Sequence, residues 1–436
     1  MPYRYILFLI LSFLSVISCK KSSESANSGF ADFIGISSNT GTYDSTITIY
    51  AKNFSNHDTI ELNGVPCSVV SIQGQDIVIT IPKGAGTGPF TITDGTTTVT
   101  GPIFYFKYTS YVTTIAGSQD DGSIDGTGLS ATFIFLDDMV MDPAGILFTT
   151  EYSDSSRVRE VNSAGVVTTF AGNGQRGSID GSPNVAEFEQ LTGISIDASH
   201  NLYVSDYFNQ KIRKIAPDGS VTTFAGNGSV GLVDGPAVSA SFNGPTGIAV
   251  DSAGNVYVAD NGNNAVRRIS ADGNVTTLTN NGFIALSNSN APHSTFSFPW
   301  ALCLDHHGNL LLGDRGYIWK ITLNGSLSVF AGIGTPGFAD GPANNAQFEQ
   351  VEGLVVDEHY NVYASDANNF IIRQINPYGT VSTFAGNRNE GPGYGFTDID
   401  GPWQTATFSS PQGLTIDKQG NLYVSDGYRV REIIVQ

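Results

Sequence analysis

Basic residues are scarce in this chain. Its 436 residues include 21 Lys and Arg against 40 Asp and Glu, which gives a formal net charge of −19 at pH 7. Proteins that bind the phosphate backbone of nucleic acids need clustered Lys and Arg. The composition therefore excludes nucleic acid as an expected partner.

Cysteine is equally rare, with 3 residues. Cys67 and Cys303 fall in different predicted domains, so we expect no structural disulfide between them. The third, Cys19, follows an apolar run at residues 6–17 that is too short to span a membrane as a helix. This segment has the character of a processing signal rather than of a folded element.

What the chain has is a repeat. An aspartate closes the same apolar stretch six times, at spacings of 55, 54, 54, 52 and 60 residues. A period of this size indicates one supersecondary unit per repeat. The six aspartates are Asp142, Asp197, Asp251, Asp305, Asp357 and Asp417.

Each repeat alternates like a set of β-strands. In the third repeat, residues 247–251, 256–260, 265–269 and 275–278 are short β-rich runs separated by Gly, Asn and Asp turns. No stretch shows a sustained helical period. Four antiparallel strands repeated six times predict an all-β fold with a six-bladed β-propeller at residues 111–436.

The repeats resemble NHL repeats. The third repeat carries Gly254-Asn255-Val256-Tyr257-Val258-Ala259-Asp260, followed by Asn263 and Arg267. The resemblance covers about three quarters of the chain and implies a propeller. NHL propellers serve as platforms for proteins or RNA and occasionally as enzymes, so the resemblance leaves the function open.

The ends of the repeat region predict how the ring closes. The region opens with an outer-strand sequence at residues 111–117 and ends with a third-strand sequence at residues 430–435. We expect the first to pair beside the second, which would join the last blade to the first and remove an open sheet edge.

The residues before the propeller divide into three parts. Residues 1–18 resemble a bacterial lipoprotein signal peptide, which implies lipidation at Cys19 and a flexible tether over residues 19–32. An ordinary secretory peptide is the alternative. Residues 33–108 are β-rich without the repeat and resemble an IPT/TIG domain, an immunoglobulin-like sandwich, on Asn53-Phe54 and the Asn63-Gly64 hairpin.

The repeats also separate scaffold from function. A residue found in most blades serves the blade, whereas a residue peculiar to one blade is free to bind. We therefore interpret the second-strand carboxylates and the third-strand basic residues, with Lys320 as the blade-four member, as structural. The recurring Asp-Gly loops are interpreted as turns rather than calcium loops.

Blade-specific residues on the long-loop face are candidate ligand contacts, because long loops on a rigid scaffold commonly carry binding. Aromatic and amide side chains there suit sugar stacking and equally suit a protein interface. The candidates are Tyr152, Tyr207, Phe208, Asn263, Trp300, Arg315, Tyr317, Phe370, Tyr428 and Arg429, with Tyr394 and Trp403 added by blade six.

One position per blade should lie at the mouth of the central channel. These positions hold Asp137, Thr192, Thr246, Trp300, Glu352 and Gln412. Gluconolactonase-type propellers place metal ligands at comparable positions, so the resemblance implies a calcium site at Asp137, Glu352 and Gln412. A water-filled polar mouth without a metal is the alternative.

Other catalytic arrangements are not found in the sequence. It has no G-x-S-x-G, no H-E-x-x-H and no phosphate loop. Four of its six histidines are predicted in turns on the face opposite the long loops. We therefore expect a monomeric, non-enzymatic lipoprotein of the cell envelope, at the outer membrane, that binds a glycan or an envelope protein without a required cofactor. A metal-dependent hydrolase or lactonase is the alternative.

Overall fold

The N-terminal part of the structure is a pair of facing β-sheets. The computed structural model describes residues 30–82, 85–106, 110–280, 296–388 and 398–435. The predicted signal peptide, Cys19 and most of the predicted tether lie outside these residues. In spatial order, one sheet contains Asp32–Ile36, Thr46–Lys52, Asp76–Thr80 and Ser68–Gln73, and the other contains Thr40–Gly41, Thr98–Phe106, Gly88–Thr93, Thr59–Leu62 and Val65–Pro66.

Strict alternation builds the core between these two sheets. In Thr46–Lys52 the residues Ile47, Ile49 and Ala51 are buried while their neighbours face outwards, as a period of two requires. The Phe90 and Phe104 rings from the facing sheet meet edge to face at 5.6 Å. The predicted Asn63-Gly64 turn joins two short strands with both residues at positive φ, the geometry in which Asn-Gly is favoured.

The remaining strands form six antiparallel sheets arranged as a ring. The inner strand of each sheet contacts the inner strands of the sheets before and after it, and the sixth contacts the first. This is a six-bladed propeller, as the repeats predict. From the centre outwards the strands are Leu136–Met141, Leu147–Glu151, Val158–Val161 and Val166–Ala171 in blade one; Leu191–Ile196, Leu202–Asp206, Lys211–Ile215 and Val221–Ala225 in blade two; Pro245–Val250, Val256–Asp260, Ala265–Ile269 and Asn274–Asn280 in blade three; Leu302–Leu304, Leu310–Asp314, Tyr317–Ile321 and Leu327–Gly332 in blade four; Val351–Val356, Val362–Asp366, Ile371–Ile375 and Thr380–Ala385 in blade five; and Pro411–Ile416, Leu422–Asp426, Arg429–Val435 and Ser110–Ala116 in blade six.

Two further kinds of element complete the ring. Four blades gain a two-residue strand outside the outer strand, at Gly126–Thr127, Gly235–Pro236, Gly341–Pro342 and Gly401–Pro402. The helices of the described residues are 3-10 turns of three residues each, at Gly128–Ser130, Asn261–Asn263 and Ala367–Asn369. Within the described part of the chain, no helix is long and apolar enough to cross a membrane.

The seam of the ring lies in blade six. Ser110–Ala116 pairs antiparallel with Arg429–Val435, with Tyr111 opposite Ile434 and Thr113 opposite Glu432. The predicted closure of the ring is confirmed. Two chain segments from opposite ends of the propeller therefore share one sheet.

The aspartates that define the repeat end the inner strands and hold the turns that follow. Asp251 accepts hydrogen bonds from the backbone N–H groups of Ala253 and Asn255 at 2.9 and 2.8 Å. Its second oxygen accepts from the Asn255 side chain at 2.7 Å and from the Tyr257 hydroxyl at 3.1 Å. The recurring pattern Asp, Gly-Asn and Tyr is thus one hydrogen-bonded turn.

Five blades contain a buried arginine clamped between two aspartates or a glutamate and an aspartate. In blade three, Arg267 contacts Asp260 and Asp234, both at 2.7 Å, and its guanidinium lies 5.1 Å from the centre of the Phe242 ring. Asp234 also accepts two hydrogen bonds from Thr277 on the outer strand, each at 3.0 Å. The corresponding arginines are Arg159, Arg213, Arg373 and Arg431.

This clamp changes one interpretation and confirms another. The second-strand carboxylates and the arginines are structural, as predicted. The loop aspartates of the Asp-Gly segments are ion-pair partners that fasten each loop to its blade, and a turn preference alone does not explain them. They recur because the buried guanidinium recurs.

Blade four departs from this arrangement. Trp319 lies opposite Leu312, the register that Arg267 holds opposite Val258, and its indole N–H donates to Asp314 at 3.2 Å. Lys320 is one residue further along and contacts Asp305 at 3.3 Å. The prediction that Lys320 is the blade-four counterpart of the arginines is wrong, because adjacent strand residues face opposite sides of a sheet.

A candidate ligand site at the channel mouth

The six equivalent positions predicted at the channel, one per blade, form its rim, and two of them serve the scaffold. The Thr192 hydroxyl donates to the Pro245 carbonyl at 3.1 Å, and the Thr246 hydroxyl donates to the Pro299 carbonyl, also at 3.1 Å. Each bond joins one blade to the next. The other four positions hold Asp137, Trp300, Glu352 and Gln412, whose side chains contact one another: Trp300 bonds to Asp137 and Gln412 to Glu352. With Asp138 they are called the channel mouth below.

The channel mouth opens on a cavity of about 180 Å³ enclosed by the inner strands. Asp137, Asp138, Trp300 and Glu352 line it together with apolar side chains of the six inner strands, among them Ile194, Ile248, Leu354 and Leu414. The site therefore combines carboxyl groups with largely apolar walls. In such surroundings charge is poorly screened and polar contacts are strong.

The Asp137 and Glu352 carboxyl groups both line the cavity, and the charge of Glu352 acts on Asp137. Asp137 is 4% exposed. Burial and then the charges of Glu352 and Asp138 raise its pKa well above the ordinary range, while a hydrogen bond from Trp300 lowers it. Burial also raises the pKa of Glu352 to about 7, against hydrogen bonds from Gln412 and Gln350. Burial thus favours the protonated form of both carboxyl groups.

Asp138 is a member of the site that sequence reasoning missed. Its carboxylate accepts hydrogen bonds from Met139 N–H at 2.8 Å and from Ile194 N–H, in the next blade, at 3.1 Å. Burial raises its pKa to about 7 despite these bonds. The signal was present in the sequence, because the same repeat position holds glycine in four other blades: Gly193, Gly247, Gly353 and Gly413.

Trp300 presents an aromatic surface at the same rim. Its ring stacks on Phe298, with 5.1 Å between ring centres and an angle of 9° between the planes. Tyr152 and Tyr207 lie nearby: burial first, then the charge of Asp137, raises the pKa of Tyr152 to about 12, and Tyr207 contributes to the same shift. Tyr428 meets Phe135 edge to face at 6.3 Å.

Two predicted ligand contacts are packed elsewhere. Tyr317 belongs to the core between blades three and four, 4.6 Å from the Trp319 ring, and its ring covers Gly334. Trp403 packs on the core of blade six, and its backbone N–H donates to the Ser110 carbonyl at the start of the outer strand. Neither lines the cavity. Tyr394 lies outside the described residues.

Asn263 is also part of the scaffold. Its side chain donates to Asp260 and to the Gly231 carbonyl, both at 2.8 Å. Asn209 and Asn369 make the same pair of bonds in blades two and five. Asn263 is therefore not peculiar to one blade.

The three residues predicted as metal ligands lie close together, and the metal site itself stays a prediction. Asp137, Glu352 and Gln412 do come together, with Gln412 hydrogen-bonded to Glu352. The described residues contain no group of three or more His, Cys, Asp or Glu side chains placed to hold a metal ion. A hard cation here would take two carboxylates and an amide, with water for the remaining oxygens.

The comparisons with known proteins bear on the fold. A family model described as NHL repeat matches residues 242–269. Those residues are an NHL repeat. They cover the inner, second and third strands of blade three.

Two solved structures share the fold over nearly the whole chain. A protein of unknown function from Bacteroides thetaiotaomicron is 20% identical, with a TM-score of 0.61, over 93% of this chain and 98% of its own. An auxiliary nutrient binding protein from Bacteroides ovatus is 17% identical, with a TM-score of 0.57, over the same shares of both chains. Identities this low show a common fold alone.

Curated relatives match a shorter part of the chain. SUPPRESSOR OF QUENCHING 1, a chloroplastic protein of Arabidopsis thaliana, is 26% identical over 281 residues, which cover 60% of this chain and 26% of that protein. Across the curated relatives that it matches, the chain spans 26% to 37% of their length.

Proposed function

We propose that this protein is a non-enzymatic binding protein of the bacterial cell envelope that holds a carbohydrate at the channel mouth. The observation that carries the proposal is the Phe298–Trp300 ring pair beside a cavity lined by carboxyl groups. Aromatic faces stack on sugar rings while carboxylates and amides accept and donate hydrogen bonds to hydroxyl groups. The name of the Bacteroides ovatus neighbour, an auxiliary nutrient binding protein, agrees with a binding role.

The remaining parts of the chain fit the same role. We infer that Cys19 is lipidated and anchors the protein at the outer membrane, and that the two-sheet unit is an IPT/TIG domain acting as a spacer. A monomer suffices for this function because the site lies within one propeller. A protein ligand on the same face is the other outcome of a binding screen.

A glycan-array screen followed by calorimetry tests the proposal. Replacing Trp300 with Ala should remove a stacking contact of about 0.5–1.5 kcal/mol, a several-fold to tenfold loss of affinity. Trp403→Ala is the matched control, since Trp403 packs on the outer edge of blade six, and its removal should leave affinity unchanged. Binding that maps to the turn at His306 and His307, between the first two strands of blade four, or to the two-sheet unit would refute the site.

The juxtaposition of Asp137, Glu352 and Gln412 favours a second candidate, a metal-dependent hydrolase or lactonase. In that case a hard cation would be held at the channel mouth and would polarise a substrate carbonyl. Its test is chelation: binding that survives Trp300→Ala but vanishes with chelator would favour this candidate over the first.

A further inference from the structure

In five of the six blades, the buried carboxylate of the second strand has a cation beside it. Asp260 is fully buried and contacts the fully buried Arg267 at 2.7 Å. The same pairing recurs in four other blades, at Glu151, Asp206, Asp366 and Asp426. In these five blades the repeat thus places a guanidinium beside the acid that it buries on the second strand, whereas the buried Asp314 of blade four accepts from the Trp319 indole and from backbone N–H groups.

The channel mouth has no such cation. In the described part of the chain, no Arg, Lys or His forms an ion pair with Asp137, Asp138 or Glu352. Asp138 has two backbone N–H donors, whereas Asp137 has the Trp300 indole and Glu352 has side-chain amides. Every one of these donors is neutral, so no cationic side chain among the described residues balances these acidic groups when they are ionised.

The balancing charge can come from a bound ligand, and the site geometry favours an organic cation over a divalent metal. A hard divalent metal needs about six or more oxygen ligands, and no group of three acidic or histidine side chains is placed to supply them among the described residues. An ammonium group needs a few acceptors and gains from an aromatic face. Asp137, Glu352 and the Trp300 ring supply both.

We propose that the ligand of the channel mouth carries an organic ammonium group, which lies between the Asp137 and Glu352 carboxylates against the Trp300 ring. The cavity of about 180 Å³ admits such a group, while the rest of the ligand stays at the rim with Tyr152 and Tyr207. This inference rests on the proposed function, because it specifies the ligand class of the same site.

Calorimetry with matched sugars tests it on the full-length protein. Glucosamine carries an ammonium group where N-acetylglucosamine carries an amide and glucose a hydroxyl, and n-butylammonium is the probe without a sugar. We expect glucosamine to bind about tenfold or more tightly than either neutral sugar. Asp137→Asn and Glu352→Gln, each measured alone, should each remove most of that preference.

Asp272→Asn is the matched control, because it removes one negative charge at the exposed turn between the third and outer strands of blade three. It should leave the preference intact, and a thermal unfolding curve on each variant shows that it is folded. Equal binding of all three sugars would overturn the ammonium inference while leaving the proposed function standing. Chelator-sensitive calcium binding with no sugar bound would overturn both, and failure of every ammonium probe at millimolar concentration would overturn the inference.

Discussion

Arg267 shows, at the scale of single residues, why the repeat keeps a basic residue on its third strand. It is fully buried, and it donates to two carboxylates and to the carbonyls of Ser241 and Val233 at 2.9 and 3.0 Å. Removing it leaves Asp260 buried without its cation. Lys320, by contrast, makes a single ion pair on a partly exposed surface.

This difference predicts unequal costs for similar substitutions. Arg267→Met should destabilise the fold by about 3–5 kcal/mol, because it strands a buried charge. Lys320→Met should cost about 1 kcal/mol or less, the usual worth of an exposed pair. Urea unfolding of both variants measures the contrast, and equal costs would contradict the structural role given to the arginines.

Glu352 predicts a pH-dependent stability. Burial raises its pKa from an ordinary 4.5 to about 7 in the folded protein. Between pH 4.5 and 7 this carboxyl group is ionised in the unfolded chain but keeps its proton in the folded protein. The free energy of unfolding therefore falls as pH rises through this window. Below pH 4.5 the group is protonated in both states and has no effect on stability. Glu352→Gln has no such penalty.

We therefore expect Glu352→Gln to gain stability relative to the parent as pH rises from 4 to 8, by up to about 3 kcal/mol. Chemical denaturation at both pH values checks this. Asp272→Asn, at an exposed turn, should show no comparable trend. A Glu352→Gln variant whose relative stability is the same at pH 4 and pH 8 would show that the carboxyl group is not held in its neutral form.

At the scale of elements, the strand Ser110–Ala116 connects the two ends of the propeller. It gives blade six its outer strand. The Thr114 hydroxyl on this strand donates to the loop aspartate Asp400 at 2.9 Å, as the outer-strand Thr277 does to Asp234 in blade three. Without it, Arg429–Val435 would become an exposed edge with unpaired backbone groups.

Two truncated variants test this element. A chain beginning at Ser110 keeps the seam and should unfold cooperatively as a monomer. A chain beginning at Ser118 lacks the seam and should oligomerise or unfold at a lower temperature, because its edge strand is open. Size-exclusion chromatography and thermal denaturation distinguish them. Identical behaviour of the two chains would show that closure contributes nothing.

At the scale of the whole molecule, the proposed anchor is a prediction about Cys19, which lies outside the described residues. Cys19→Ala should prevent lipidation and move the protein from the membrane fraction to the soluble fraction. Cys67→Ala is the matched control, since Cys67 is partly buried against the core of the two-sheet unit, and it should leave the distribution unchanged. Membrane fractionation of the Cys19→Ala variant equal to the parent's would contradict the anchor.

Much of the architecture could be predicted from the chain alone. The number of blades, the strand order and the closure follow from local patterns that repeat about every 54 residues. Alternation decides which face of a strand is buried, and turns with Asp, Gly and Asn decide where strands end. A single short apolar segment does not distinguish a strand from a helix, but the same pattern in six repeats does.

The composition of the site depended on the tertiary structure. Asp137 and Glu352 are 215 residues apart and share a cavity because closure brings blades one and five to the same channel. Tyr317 and Trp403 are aromatic residues peculiar to their blades, yet both pack against core clusters away from the cavity, and no local pattern distinguishes them from Trp300. Sequence determined which residues depart from the repeat; only the folded ring decided which departures meet, because their proximity depends on contacts between strands far apart in the chain.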